Sequence, residues 1–304
     1  MCIRDSCQTP ELATKITLMP IEQIGPDAAI LFSDILVVLQ AMQMTVEMRD
    51  NIGPWIPNPV RSQSDIDKLI IPNINEHLGY VMEAIKMTKT ELNQRVPLIG
   101  FAGSPWTLLC YAVQGQGSKN FDKAKAFCFS QTNEAHSLLQ KITDTTILYL
   151  KEKVACGVNA IQIFDSWANL LSEKEYKKWS LQYIDELIKL LKNDLVTSNI
   201  PVILFAREPK CSSSNLIETS ADCISLFWTM RTPNLDLMKN KVAIQGNLNP
   251  AILLESNEVI KEETYKILDM YKDYPGYIFN LGHGITPNIS PDKVKFLTQL
   301  VREY

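Results

Sequence analysis

Residues 160–166 read Ala-Ile-Gln-Ile-Phe-Asp-Ser, and these seven residues indicate the fold class. Apolar side chains occur at both odd and even positions, so a strand formed by these residues has apolar side chains on both of its faces. This pattern is typical of a strand buried on both faces of a parallel sheet. The sequence on either side has helical patterns: residues 131–155 carry one apolar stripe, and Ser172 begins a capping box. A strand flanked by helices predicts βαβ crossovers, and therefore an α/β fold with a parallel sheet.

Six further apolar runs alternate with helical segments in the same way. Thr9-Pro10 and Ser290-Pro291 each combine an N-cap residue with a proline at the first helical position. This alternation favours a (β/α)8 TIM barrel. A closed barrel of this kind needs eight strands, whereas the sequence contains seven apolar runs. Either one strand is absent or undetected, or the sheet is open. No linker rich in Pro, Gly or Ser interrupts the chain, so one domain is favoured over two. The seven runs are residues 28–36, 97–103, 160–166, 202–206, 223–228, 242–248 and 277–282.

The composition of the 304 residues is that of an ordinary globular protein, with 46% hydrophobic residues to form a core. Lys plus Arg number 30 and Asp plus Glu 34, for a net charge of −4, so we expect no nucleic-acid partner. No apolar run reaches the length of a membrane span and no hydrophobic signal core begins the chain, so we expect no membrane association and a cytoplasmic location. The seven cysteines include no CxxC pair, which indicates neither a disulfide framework nor a zinc site.

The active site of an α/β barrel lies at the carboxyl ends of its strands, so polar residues that end the apolar runs are the candidates. Asp34 lies within an apolar run, where a carboxylate is costly unless it is hydrogen-bonded, paired or functional. Capping a helix or pairing with a distant arginine is the structural alternative. Tyr111 follows the second run among four of the chain's 12 glycines, which favours close backbone approach to a ligand; a core tyrosine is the alternative.

Two further candidates end other runs. Ser166 either binds a ligand or caps a turn, and the G-x-S-x-G elbow of a hydrolase nucleophile is missing. His283 lies between two glycines, which lets substrate approach its imidazole, so we favour a functional role over a structural one. His77 and His136 lie in helical sequence and are expected at the surface. Neither HExxH nor H-x-C nor paired-histidine spacing occurs, so the sequence does not support a metal site.

Seven segments together resemble the uroporphyrinogen decarboxylase family, in the family's order from residue 7 to the C-terminus. The resemblance implies one (β/α)8 barrel domain over residues 7–304, with residues 1–6 unmatched. It implies a homodimer in the cytosol or a plastid, and no metal or organic cofactor. The implied reaction removes the carboxyl groups of the four acetate side chains of uroporphyrinogen, giving coproporphyrinogen in porphyrin and heme biosynthesis. The segments are residues 7–13, 28–36, 58–62, 100–107 with Tyr111, 162–168, 245–248 and 280–284.

The resemblance also implies roles for single residues. The family's strand-end aspartate falls on Asp34, which would hydrogen-bond the pyrrole N–H groups and stabilise the cation formed when the ring is protonated. Its tyrosine, serine and histidine fall on Tyr111, Ser166 and His283. These three would bind the acetate and propionate carboxylates and fix the reacting ring, because a chain of net charge −4 must supply such donors locally.

The sequence departs from the family in four places, one of which is Asn249, where the family commonly has aspartate. The family's arginine-rich R-Q-A-G-R motif, whose arginines contact substrate carboxylates, is expected before Cys7, where six unmatched residues stand. We therefore expect a barrel that lacks its first strand, with two exposed sheet edges, low stability and little activity, and residues 1–6 are candidates for a non-native segment. Phe227 stands where aspartate is usual. Arg207 replaces the usual lysine and still offers a carboxylate-binding cation.

Two alternatives to a cofactor-free decarboxylase stay open at this point. The first is a zinc-dependent corrinoid or coenzyme M methyltransferase of the same barrel superfamily, which would need His and Cys ligands that the strand ends lack. The second is an inactive fragment that binds the porphyrinogen without converting it. A zinc assay would distinguish the first alternative, and binding without product formation would distinguish the second.

Overall fold

The computed structural model describes residues 3–230 and 235–304. Seven of its strands form one sheet in which every neighbouring pair is parallel and strands follow in chain order. The sheet contains β1 (Ala29–Ile30), β4 (Leu98–Gly103), β5 (Ala160–Asp165), β6 (Val202–Ala206), β7 (Cys223–Ser225), β8 (Ala243–Gln245) and β9 (Tyr277–Ile278). An antiparallel hairpin, β2 (Glu47–Arg49) and β3 (Gly53–Trp55), lies between β1 and β4 in the chain.

Helical segments occupy the connections between the strands. Three of them are not α-helical: the 3₁₀-helices Ala168–Leu170 and Pro250–Leu254 and the π-helix Lys177–Leu181. The α-helices in the described residues are α1 (Ile3–Gln8), α2 (Pro10–Gln23), α3 (Val37–Ala41), α4 (Gln63–Lys68), α5 (Ile74–Leu92), α6 (Pro105–Gln114), α7 (Asp122–Ser130), α8 (Thr132–Ala155), α9 (Glu173–Tyr176), α10 (Gln182–Lys192), α11 (Ser213–Ile217), α12 (Leu235–Met238), α13 (Asn257–Tyr271) and α14 (Pro291–Glu303).

The predicted helix boundaries are largely confirmed. The apolar stripe of residues 131–155 is α8, and Ser172 forms both hydrogen bonds of its capping box with Glu175. The side chain of Ser290 accepts from the backbone N–H of Asp292 and caps α14. Thr9 differs, because its hydroxyl donates to the backbone oxygen of Asp5 in α1 (2.9 Å) instead of capping α2.

Each of the seven apolar runs contains one strand of the sheet, so the predicted parallel α/β fold with seven strands is confirmed. Several strands are shorter than their runs, and residues 28–36 contribute only β1. The backbone N–H of Leu31 still donates to Ile99 (3.1 Å), and the chain then leaves the sheet. The apolar residues beyond that point, such as Leu36, are buried against helices. Asp34 therefore lies in the loop after β1 and not in a strand.

The sheet is a curled half-barrel that does not close. In the described part of the chain, β1 and β9 each have one neighbouring strand, and Ile30 and Ile278 at these edges are both 43% exposed. The concave face encloses a cavity of about 810 Å³. Arg302 of α14 donates to Gly25 (2.6 Å) and Asp27 (2.7 Å), so the last helix is attached to the segment just before β1.

Most helices pack around one hydrophobic core, and a second, smaller cluster lies between α13, α14 and the segment after β8. Residues 3–6 belong to α1, and α1 packs against α2 and α5. Met1 and Cys2 lie outside the described residues, and the domain boundary at residue 7 stays a prediction. Across residues 3–230 and 235–304, no helix is both long enough and apolar enough to span a membrane.

Candidate active site

The candidate site residues lie at the carboxyl ends of the parallel strands, where α/β barrels carry their active sites. Asp34 follows β1, Ser166 directly follows β5, and His283 follows β9. Tyr111 lies in α6, the helix that begins just after β4. Because the strands all run in one direction, the four side chains belong to the same end of the sheet.

Asp34 is partly exposed and is held by its own loop. One carboxylate oxygen, Oδ1, accepts from the backbone N–H of Leu36 (2.9 Å), which fixes the side chain over the turn that leads into α3. No lysine or arginine among the described side chains lies within 4 Å of the carboxylate, so the pairing with a distant arginine that the sequence left open is not observed. Its other oxygen accepts no hydrogen bond from those side chains and can receive a donor from a ligand.

Tyr111 lies close enough to Asp34 for the two to interact electrostatically. Burial raises the pKa of Tyr111, and the negative charge of Asp34 acts in the same direction. The phenol therefore keeps its proton at neutral pH and can donate a hydrogen bond. Its ring packs edge-on against Phe121 (5.4 Å between centroids) and Trp167 (6.3 Å), which restricts its orientation.

Ser166 lines a cleft of about 530 Å³ between α2, β1 and β5. The preceding residue, Asp165, is fully buried and accepts hydrogen bonds from Ser104 (2.7 Å), Thr107 (3.1 Å) and Ser180 (2.6 Å). Ser104 and Thr107 lie at the start of α6, and Ser180 lies in the π-helix. This buried network fixes the end of β5, and with it Ser166, relative to the helix that carries Tyr111.

His283 is exposed, and its Nδ1 accepts from the backbone N–H of Gly284 (2.6 Å), which assigns the proton of the neutral ring to Nε2. The side of the His283 ring that packs against Phe205 and Phe227 is desolvated, which lowers the pKa of His283, and the positive charge of Arg207 lowers it further. The imidazole is therefore neutral at pH 7 and presents an N–H donor. Gly282 is required beside it, because a Cβ there would lie 2.3 Å from the backbone nitrogen of Trp228.

Aromatic side chains connect the parts of the site. The guanidinium of Arg207, which follows β6, lies 5.8 Å from the ring centroid of Trp167 and 5.6 Å from that of Phe227. The His283 ring lies 5.5 Å from Phe227 and 6.3 Å from Phe205. Tyr111 is thus close to Asp34, whereas His283 belongs to the opposite edge of the open sheet. Periodicity gave no signal for the contact between Trp167 and Arg207, because the two follow different strands.

The other histidines have no place in this site. His77 is exposed, as predicted. The prediction for His136 is wrong in part: its ring is half-buried, stacks on Trp179 (4.6 Å) and forms a hydrogen bond with the hydroxyl of Tyr183 (2.6 Å). Within the described residues, no group of three or more His, Cys, Asp or Glu side chains could hold a metal ion.

The fold and the site define the class: an α/β barrel-related protein with polar and aromatic side chains around the carboxyl ends of a curled parallel sheet. The family model described as uroporphyrinogen decarboxylase matches residues 1–304. The chain belongs to the uroporphyrinogen decarboxylase family.

Two relatives and one solved structure illustrate the similarity. The chain is 53% identical over 301 residues to uroporphyrinogen decarboxylase of Christiangramia forsetii, with 98% of this chain and 86% of the relative covered. It is 52% identical over 300 residues to that of Flavobacterium johnsoniae, with the same coverage. A methyltransferase from Methanosarcina mazei shares the fold at a TM-score of 0.79 and 19% identity, over 98% of this chain and 87% of that one. The likeness to the methyltransferase concerns the fold alone.

Proposed function

We propose that this chain is a carboxy-lyase that removes the carboxyl groups of the four acetate side chains of uroporphyrinogen, giving coproporphyrinogen. The observation that carries the proposal is the free oxygen of Asp34 at the carboxyl ends of the strands, with the protonated phenol of Tyr111 near enough to interact with it electrostatically. Membership of the uroporphyrinogen decarboxylase family supports it.

The chemistry requires an acceptor for the electron pair of a breaking carbon–carbon bond. When the pyrrole ring that bears the acetate is protonated, the bond between the methylene and the carboxyl carbon breaks and its electrons enter the ring. Carbon dioxide leaves, and protonation of the methylene carbon and loss of the ring proton restore the pyrrole with a methyl group. The substrate's own ring accepts the electrons, so the protein's task is to stabilise positive charge.

Asp34 suits this task because its carboxylate is fixed before the reaction. The hydrogen bond from Leu36 holds one oxygen, and the other is free to accept from pyrrole N–H groups. A preorganised anion lowers the energy of the cationic ring more than mobile water does. Tyr111, Ser166 and His283 are the proposed donors to the acetate and propionate carboxylates, and the neutral imidazole and phenol both carry a proton for this purpose.

Replacing Asp34 tests the proposal. We expect Asp34→Asn to lower kcat by about 10²–10³, the loss typical of removing a preorganised group aimed at developing charge. Thermal unfolding should change little, because the carboxylate is partly exposed and the amide oxygen can still accept from Leu36. Turnover is measured by separating the products of uroporphyrinogen by their carboxyl count.

The matched control is Asp67→Asn, an exposed helical aspartate that accepts from Gln63 (2.7 Å). It should leave turnover unchanged. Near-normal kcat in Asp34→Asn would remove Asp34 from the mechanism, and a wild-type chain that produces no coproporphyrinogen would contradict the proposed activity itself.

We also propose that the enzyme is a cytoplasmic homodimer, as the resemblance to the family implies. Light scattering coupled to gel filtration tests the dimer: a mass of about twice 34.4 kDa is expected, and a monomer at micromolar concentration would contradict it. Fractionation of the source cells tests the location.

A further inference from the structure

Arg207 carries a charge that the proposed mechanism leaves unused. Its backbone N–H donates to the backbone oxygen of Asp165 (3.0 Å), so its position is fixed beside Ser166. The side chain is partly buried, and its Nε is shielded from solvent without a hydrogen-bond partner. In the described part of the chain, no carboxylate forms an ion pair with the guanidinium. A shielded guanidinium N–H without a partner is costly unless a ligand supplies an acceptor.

The surroundings of Arg207 position the guanidinium without satisfying it. The rings of Trp167 and Phe227 lie 5.8 and 5.6 Å from it, within the range in which an aromatic ring attracts a cation. Aromatic carbon atoms do not accept strong hydrogen bonds from the guanidinium N–H groups. The planar fork of donors is therefore held in place and left available for an acceptor.

A second donor lies around the same aromatic ring. The ring of His283 packs against Phe227, with 5.5 Å between the ring centroids. Arg207 is near enough for its positive charge to lower the pKa of the imidazole. The Nδ1 of this imidazole already accepts a hydrogen bond from the backbone N–H of Gly284. The ends of β6, β7 and β9 thus gather a cation, an N–H donor and apolar walls. This combination fits an anionic group attached to an apolar ring system better than it fits a neutral polar ligand.

We infer that Arg207 binds a carboxylate of the substrate in the part of the site formed by the ends of β6, β7 and β9. A guanidinium matches a carboxylate with two parallel N–H donors, and the match is specific in direction as well as in charge. A chain of net charge −4 attracts a polyanionic substrate only through such local cations. The identity of the substrate rests on the proposed function, whereas the carboxylate class rests on the unpaired guanidinium. Arg207 is thus a binding and specificity residue.

Steady-state kinetics with uroporphyrinogen test this inference. We expect Arg207→Gln to raise KM by about tenfold to a hundredfold, the loss of a charge-assisted hydrogen bond, with kcat changed by less than about threefold. Arg207→Lys keeps the positive charge and loses the pair of parallel N–H donors, so its KM should lie between that of the wild type and that of Arg207→Gln. Arg95→Gln is the control, because Arg95 donates to the backbone oxygens of Leu92 and Glu91 in the turn before β4, at the other end of the sheet.

A measurement without turnover separates this inference from the proposed function. In ¹H–¹⁵N spectra, acetate should shift the His283 ring signals of the wild type saturably and should not shift those of Arg207→Gln. The pKa of His283 should rise in Arg207→Gln, because a nearby positive charge is removed. A merely structural role of Arg207 would not produce this pair of results.

The outcomes are distinct. If the wild type fails to convert uroporphyrinogen but acetate still shifts His283 only when Arg207 is present, the proposed function is wrong and the carboxylate site stands. If conversion is normal and the KM of Arg207→Gln equals that of Arg95→Gln, the inference about Arg207 is wrong and the proposed function stands. Acetate shifts that persist in Arg207→Gln would also overturn the inference.

Discussion

Lys153 is fully buried in α8, with its ammonium group between aromatic rings. Its Nζ donates to the backbone oxygen of Phe101 (2.7 Å) and lies 4.1 Å from the ring centroid of Tyr149 and 4.9 Å from that of Phe101. Burial lowers the pKa of Lys153 to about 7 from 10.5. The hydrogen bond joins the Lys153 side chain to strand β4. Burying the charged ammonium lowers the stability of the fold by an amount that depends on pH.

The sign of this dependence follows from proton binding. Between about pH 7 and pH 10.5 the unfolded chain binds more protons at Lys153 than the folded chain does, so stability rises with pH across that window and is lowest below it. We expect Lys153→Met to remove this slope and to raise the free energy of unfolding at pH 6 by about 1–3 kcal/mol, since the lost hydrogen bond offsets part of the gain. Urea unfolding from pH 6 to pH 10 measures it.

Lys151→Met is the control for this prediction, because Lys151 is partly exposed and pairs with Asp194 (2.5 Å). It should keep the wild-type slope. An unchanged slope in Lys153→Met would show that the buried ammonium is not the titrating group.

At the scale of the elements, the loops after β7 and β9 approach each other more closely than side chains allow. A Cβ at Gly282 would lie 2.3 Å from the backbone nitrogen and 2.6 Å from the Cα of Trp228. The backbone of one loop must therefore move if Gly282 is replaced. His283 follows directly, so this contact sets the position of the imidazole relative to Phe227.

We expect Gly282→Ala to destabilise the protein by about 2–3 kcal/mol and to raise KM, because the shifted loop displaces His283. Gly284→Ala is the matched control: apart from its two chain neighbours, no atom of the described residues lies within 4 Å of its Cβ position, and its backbone is not in the left-handed region. The control should stay within about 0.5 kcal/mol of the wild type. Thermal unfolding and uroporphyrinogen kinetics measure both, and equal effects of the two substitutions would contradict the close approach.

At the scale of the whole molecule, the open sheet predicts a gradient of local stability. β5 pairs with β4 and β6 along five residues on each side, whereas β1 and β9 each pair with one strand along two residues. We expect the amides of β5 to exchange with solvent at least about tenfold more slowly than those of β1 and β9, because edge strands open without unfolding the core. Hydrogen exchange followed by mass spectrometry measures this, and β9 amides as protected as those of β5 would contradict the open edge.

The sequence predicted most of the sheet because buried strands and amphipathic helices leave local patterns. The seven runs, the stripe of α8 and the capping box at Ser172 depend on residues a few positions apart, and each is found in the structure. The ends of the outer strands were predicted less well. β1 ends at Ile30, although apolar residues continue to Leu36, because those side chains pack against helices.

As with the sheet, one part of the candidate site could be predicted from the sequence and another part could not. Its residue types and their places at strand ends followed from the sequence and from the family resemblance, so Asp34, Tyr111, Ser166 and His283 could be named without a structure. Contacts between different strand ends could not be derived, because no local pattern records which loops meet.

The amino-acid sequence was sufficient to predict a parallel α/β sheet of the uroporphyrinogen decarboxylase type, because hydrophobic periodicity and motif order are properties of the linear chain. Three features required the tertiary structure: the sheet is an open half-barrel, Gly282 approaches the backbone of Trp228, and Arg207 lies near two aromatic rings with no ion-pair partner among the described residues. These features depend on distances between segments far apart in the chain, which only the packing of the whole molecule fixes.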